Sequence, residues 1–149
     1  MSKNIAHLRP RILWIEDNQA SHPWLAELLT EAGANLATEK TFQTGVQRLK
    51  EEFHGYIVDV MLPYAPAGRR MDPDYKRNEG GLRLIRDIRG RYPNRPIIAF
   101  SAKDDLKSSL RGLNVVYIDK RDPDLKASWI ANTILRTVRG NPPPDATIL

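Results

Sequence analysis

Tyr56-Ile57-Val58-Asp59-Val60-Met61-Leu62-Pro63 sets one carboxylate inside an otherwise apolar run, with a proline four residues later. Apolar residues at successive positions suit a strand buried on both faces, as in a parallel sheet. An ionised Asp inside such a strand is costly unless it emerges at the strand end toward water, a cation or a donor. Pro63 cannot continue a central strand, so the strand must stop just past Asp59. Asp59 is therefore predicted at the carboxyl edge of a sheet, where open α/β folds bind their ligands. Taken alone, a strand-end Asp that merely caps a turn is the better explanation of the residue. The functional reading depends on what the other strands end in.

Working outward, Arg11-Ile12-Leu13-Trp14-Ile15 reads as a first strand running directly into Glu16-Asp17-Asn18. Ser21 with Pro23 signals a helix start. Trp24, Leu25, Leu28, Leu29 and Ala32 then recur at helical spacing until Gly33. The stretch from Asn35 to Lys40 alternates and is more polar, as an edge strand is. Thr41 can cap a second helix with Phe42, Val46, Leu49 and Phe53 inward. Gly80-Gly81 introduces a third helix with Leu82, Ile85 and Ile88 inward. Pro96 to Phe100 is a fourth buried strand ending in Ser101, followed by a short helix from about Asp104 to Leu110. Val115 to Ile118 is a fifth, ending at Asp119-Lys120. Asp122-Pro123 precedes a last helix lined by Leu125, Ile130, Ile134 and Val138. Five strands alternating with five helices predict an α/β fold with a doubly wound, five-stranded parallel sheet and right-handed crossovers. Trp14 and Trp24 read as core and Trp129 as half exposed.

The chain has 149 residues, the size of one domain, here placed over 1–140 with a flexible Pro-rich tail over 141–149. Residues 64–79 show no sustained period and read as a long loop beside the Asp59 strand end. Connections of that length are uncommon and usually functional or disordered; Asp72-Pro73 and Tyr75 favour local order. The composition, 41% hydrophobic and 28% charged, is that of a globular protein, with no membrane-crossing run and no secretory leader at Met1. With no cysteine, disulfides and thiolate metal sites are excluded, and a cytoplasmic location is expected. The net charge of +5 draws on Arg83, Arg86, Arg89, Arg91 and Arg95. A solvated helix face is the stronger reading of these arginines and nucleic acid the weaker, because aromatics do not interleave. His7, His22 and His54 lack ligand spacing and read as surface or helix-end residues.

The strand ends supply Glu16-Asp17, Asp59, Ser101 and Lys120. Along one edge of a doubly wound sheet these groups can converge. Clustered carboxylates repel one another and invite a divalent cation. Oxygen-only ligands favour a hard ion, and magnesium accepts few protein carboxylates while keeping several waters. With a lysine and a hydroxyl beside it, such a site suits phosphoryl transfer, with Asp59 as nucleophile.

In this order, Glu16-Asp17-Asn18, Asp59 with Pro63 four beyond, Ser101-Ala102 and Lys120 resemble the receiver domain of two-component response regulators, over roughly Arg11 to Arg139. The resemblance implies a flavodoxin-like (βα)5 fold with strand order 2-1-3-4-5. It implies Asp59 as phosphoacceptor. Asp17 and Asp59 would be direct Mg2+ ligands with the Met61 carbonyl, and Glu16 would act through water. Ser101 and Lys120 would hold phosphoryl oxygens, and Ser101 with Tyr117 would form the switch pair; edge-strand packing is the other reading of Tyr117. Three departures stand out. Lys120 is followed by Arg121 instead of a proline, so a trans bond is expected there. The Ser101–Lys120 stretch is short, which trims the fourth helix and puts family-style dimerisation in doubt. The 64–79 loop is expanded.

The expected function is a stand-alone receiver in a phosphorelay. It takes a phosphoryl group from a histidine kinase or histidine phosphotransfer protein and signals to a downstream protein in trans. Catalysis is limited to magnesium-dependent self-phosphorylation and self-dephosphorylation. The alternative is a pseudo-receiver, an interaction module without a phosphorylation cycle.

Overall fold

A computed structural model describes residues 9–63, 80–101, 107–122 and 124–149. The readings made on 64–79, Ala102, Asp104, Pro123 and His7 lie outside the described residues. The elements are β1 (Arg11–Ile15), α1 (Pro23–Glu31), β2 (Asn35–Glu39), α2 (Phe42–Arg48), β3 (Gly55–Asp59), α3 (Gly80–Arg91), β4 (Ile97–Ser101), α4 (Lys107–Leu110), β5 (Val116–Asp119), α5 (Ala127–Val138) and β6 (Thr147–Ile148). The sheet order is β2-β1-β3-β4-β5-β6, so the first five strands take the expected 2-1-3-4-5 order. All pairings among them are parallel.

Alternation along each strand divides the core in two, because successive side chains leave opposite faces of a sheet. Leu13, Ile15, Val58, Ala99 and Tyr117 face α3, where Leu84, Ile85 and Ile88 cover them. Ile12, Trp14, Ile57, Ile98 and Phe100 face α1 and α5, against Leu25, Leu29 and Ile134. Every residue of β3 and β4 is buried. Each large side chain so enclosed contributes roughly 1.5–3 kcal/mol to folding.

The caps follow the local chemistry with two shifts. Thr41 Oγ1 accepts from Thr44 N at 3.1 Å and starts α2 as predicted. Helix α1 begins at Pro23 with His22 as its N-cap, because Gln19–Ser21 form a 3-10 turn instead. Asp122 Oδ1 accepts from Asp124 N at 2.9 Å, closing a turn ahead of α5 and leaving Lys126 at the cap. Trp24 is only partly buried. Among the described residues there is no cis peptide bond, in keeping with the trans Lys120–Arg121 bond expected.

The tail is a correction to the sequence reading. Instead of swinging free, residues 141–149 fold back onto the sheet. Asn141 N donates to Arg136 O at 2.8 Å, Ala146 N to Pro143 O at 3.0 Å, and Trp129 Nε1 to Asp145 Oδ2 at 3.1 Å. This returns the chain to the open edge of β5, where Ile148 pairs with Val116 and Thr147 with Tyr117, antiparallel. The sheet therefore has six strands instead of five. The physical reason is an unpaired edge: exposed backbone donors and acceptors of β5 find partners in the returning chain. Prolines forbid a helix in that segment without forbidding a turn.

Candidate functional site

The site is built on the carboxyl ends of β1, β3, β4 and β5. Asp59 closes β3, and its register partner on β4 is Phe100, one residue before Ser101. Asp59 Oδ1 accepts from Met61 N at 3.0 Å, while Leu62 N donates to Asp59 O at 3.1 Å. The chain thus turns away immediately after the carboxylate, as Pro63 required. Lys120 follows β5, and its backbone N–H is fixed by Ser101 O at 2.8 Å. Its ammonium then crosses the strand ends. Nζ lies 2.8 Å from Glu16 Oε1 and 3.5 Å from Asp59 Oδ1, and 4.9 Å from the centre of the Phe100 ring.

Burial governs the electrostatics. Glu16 is 0% exposed, Asp59 6% and Ser101 0%, whereas Asp17 is exposed. Burial pushes the Asp59 carboxyl up to about 6; Glu16 and Asp17 add to the rise, and Lys120 and the Met61 N–H oppose it. Burial likewise raises Glu16, against the pull of Lys120 and of the Trp14 indole. Lys120 Nζ, 2.8 Å from Oε1, and the Trp14 indole are the donors that pull on this buried carboxylate. Two buried carboxylates that share one ammonium are only partly neutralised by it, an arrangement that costs stability.

The structure brings Glu16, Asp59 and Lys120 into contact. It places Ser101 on the adjoining strand end, and Asp17 near enough to act electrostatically on both buried carboxyls. The turn holding Met61 lies directly against the Asp59 carboxylate. Among the described residues, however, no group of three His, Cys, Asp or Glu side chains is gathered closely enough to hold an ion. The counter-charge present is Lys120. Tyr117 is buried in the core on the α3 face, and its ring takes the Lys107 ammonium at 4.9 Å.

Two features escaped the sequence reading. Gly80 and Gly81 do more than start α3. Any side chain at Gly81 would collide with the Asp59 carbonyl and Val60 Cα, and one at Gly80 with the carbonyls of Leu62 and Pro63. The pair lets a helix end press directly on the turn that carries Asp59. A double glycine opening a helical pattern, where Gly is otherwise unfavourable, was the signal available. The second is His22, which sits beside Glu16 with Nε2 3.5 Å from Oε2. Its pKa is lowered by burial and by Lys120, against Asp59. Nothing in its spacing announced this, since it lies in a turn whose path only the fold decides.

The basic helix face is also resolved into parts. Arg89 donates to the carbonyls of Leu113, Tyr92, Pro93, Arg95 and Asn114 at 2.8–3.1 Å. Arg95 lies 3.6 Å over the Tyr92 ring and donates to Tyr56 OH at 2.9 Å. Two of the five arginines are thus committed to the protein itself, which weakens the nucleic-acid reading further. No helix among the described residues is long and apolar enough to cross a membrane.

The doubly wound 2-1-3-4-5 sheet is the fold of solved response regulator receiver domains, as comparison with known proteins shows. The CheY-like response regulator receiver domain protein of Methanospirillum hungatei superimposes with a TM-score of 0.67 at 18% identity, over 88% of this chain and 94% of that one. The response regulator TrrA of Thermotoga maritima, solved in complex with Mg(2+)-BeF, gives 0.62 at 19% identity, over 85% and 98%. In sequence, the chain is 30% identical over 105 residues to the transcriptional regulatory protein HprR of Escherichia coli K12, covering 70% of this chain. It spans 40% of that relative's length. No family model matches the chain.

Proposed function

We propose that this chain is a phosphoacceptor receiver in a two-component phosphorelay, with Asp59 as the residue modified. The observation that supports it best is the buried Asp59 carboxylate at the end of β3, with the Lys120 ammonium 3.5 Å away and shared with a fully buried Glu16. A structural ion pair needs one carboxylate per cation; this edge holds two buried carboxylates and one lysine.

The chemistry follows from that imbalance. An ionised Asp59 oxygen attacks the phosphorus of a phosphohistidine. An O–P bond forms as the N–P bond breaks, and the electron pair returns to the donor's imidazole. Lys120 compensates charge on the phosphoryl oxygens, and the Ser101 hydroxyl can donate a hydrogen bond to one of them. The oxygen-only donors at this edge, two of them buried carboxylates beside a single lysine, are chemically suited to a hard dication. Asp17, Asp59 and the Met61 carbonyl would hold Mg2+ directly and Glu16 through water. When bound, the ion would offset the charge gathered on the carboxylates and the phosphoryl group. Hydrolysis of the aspartyl phosphate by water is the one further reaction in this proposal; no external substrate is turned over.

The donor is a histidine kinase or histidine phosphotransfer protein. The output is contact with a downstream protein in trans, by a receiver acting on its own, inside the cytoplasm. Incubation with Mg2+ and acetyl phosphate should add one phosphoryl mass to the wild type and none to Asp59→Asn; a gain in the variant sinks the proposal. The pseudo-receiver reading draws on the pairing of Lys120 with Glu16 and on the absence of a three-carboxylate cluster among the described residues. Millimolar Mg2+ separates the two, since only the phosphoacceptor should change the fluorescence of Trp14, whose indole borders Glu16.

A further inference from the structure

Lys120 cannot serve two carboxylates at full strength. Its Nζ stands 2.8 Å from Glu16 Oε1 and 3.5 Å from Asp59 Oδ1, so at rest it favours Glu16. If Asp59 is a phosphoacceptor, the ammonium must turn to the incoming phosphoryl oxygens. Glu16 is fully buried, and stripping a buried carboxylate of its partner opposes that turn.

Two other side chains border Glu16. The Trp14 indole is locked in the sheet's core. His22 is differently placed: its Nε2 lies 3.5 Å from Oε2, while the 2.8 Å contact of Lys120 is with Oε1. The imidazole is set edge-on against Phe100 and Trp24, with ring centres 5.5 and 6.0 Å apart. Although His22 is the N-cap of α1, its side chain makes no capping bond, so the ring is not committed to the helix. A closing movement of about half an ångström would turn the contact into a hydrogen bond.

We propose that His22 is a positioning residue for Lys120: its Nε2–H takes over Glu16 Oε2 as the ammonium leaves for Asp59. His22 touches neither the phosphoryl group nor the nucleophile in this role. It supplies a further donor to Glu16, beside the Trp14 indole, as Lys120 changes partners. The last step rests on the phosphoacceptor reading; the Glu16–His22 contact does not.

Two measurements separate those parts. His22→Phe keeps a ring against Phe100 and Trp24 but removes the N–H, and His22→Gln returns a nitrogen near the place of Nε2. Without metal or phosphodonor, His22→Phe should lower the unfolding midpoint about twice as far in a Lys120→Met background as in the wild type, where the lysine still serves Glu16. Equal shifts would overturn the take-over. If Lys120→Met does not fold, Glu16→Gln serves, because neutralising the carboxylate should abolish the His22→Phe shift; a persisting shift overturns the contact. With Mg2+ and acetyl phosphate, His22→Phe should load roughly tenfold more slowly than wild type, and His22→Gln should recover most of the rate. A wild type that never loads removes the phosphoacceptor reading while the thermal comparison still decides the contact. Normal loading by His22→Phe, or no recovery by His22→Gln, removes this inference alone.

Discussion

The two edges of the sheet bury charge in opposite ways. At the amino edge, the Arg89 guanidinium is surrounded by five backbone carbonyls from the turns that lead into β4 and β5. Burial lowers its pKa, yet its donors are matched. At the carboxyl edge, Glu16 and Asp59 share one ammonium, and burial pushes both carboxyls upward. The same sheet therefore matches one cation with several carbonyls of its own and leaves two buried carboxylates to share a single ammonium. Strain of this second kind is tolerated because the packed strands around it determine the position of each group.

The comparison can be attacked at its strongest point first. Gly81→Ala forces a methyl group into the Asp59 turn and should cost roughly 3 kcal/mol in denaturant unfolding, with Mg2+ response lost in step. A variant of wild-type stability would mean that α3 does not seat against the site. Arg89→Ala should cost about 2–3 kcal/mol, with little recovery in Arg89→Lys, since one ammonium cannot reach five carbonyls. Phosphoryl loading per folded molecule should be unchanged, because the amino edge is separate from the chemistry.

Asp59→Asn should do the reverse and stabilise the metal-free protein. The folded pKa of about 6 lies above the ordinary 3.8. The proton on Asp59 therefore favours the folded state below pH ~4, and that contribution is lost as pH rises through about 6. The variant should gain about 1–3 kcal/mol over wild type at pH 8, and the gain should fade toward pH 4. A pH-independent difference would show that burial does not control Asp59. Smallest of all, Arg91→Ala removes an exposed pair with Asp87 at 3.3 Å and should change stability by less than about 0.5 kcal/mol. A larger loss would mean that surface charge matters more here than the two edges do.

Much of this was readable from residues alone. Apolar runs ending in Asp59, Ser101 and Lys120 announced parallel strands, because a strand buried on both faces has no room for polar residues until it ends. Thr41 announced its helix because its hydroxyl meets an otherwise unpaired N–H. The tail misled because prolines exclude a helix but say nothing of a turn that brings Thr147 and Ile148 to a vacant edge. His22 and Gly81 were silent for a related reason: their importance lies in what another segment places against them.

The sequence by itself determined the five parallel strands, the helices between them and the chemical kinds of group at each strand end, since those follow from local periodicity and from the cost of burying charge. Only the tertiary structure decided how the groups divide one another's charge. Lys120 rests on Glu16 before Asp59, His22 borders the other Glu16 oxygen, and β6 closes the sheet. Those outcomes depend on ångström-scale distances between segments remote in the chain, and no local pattern encodes them.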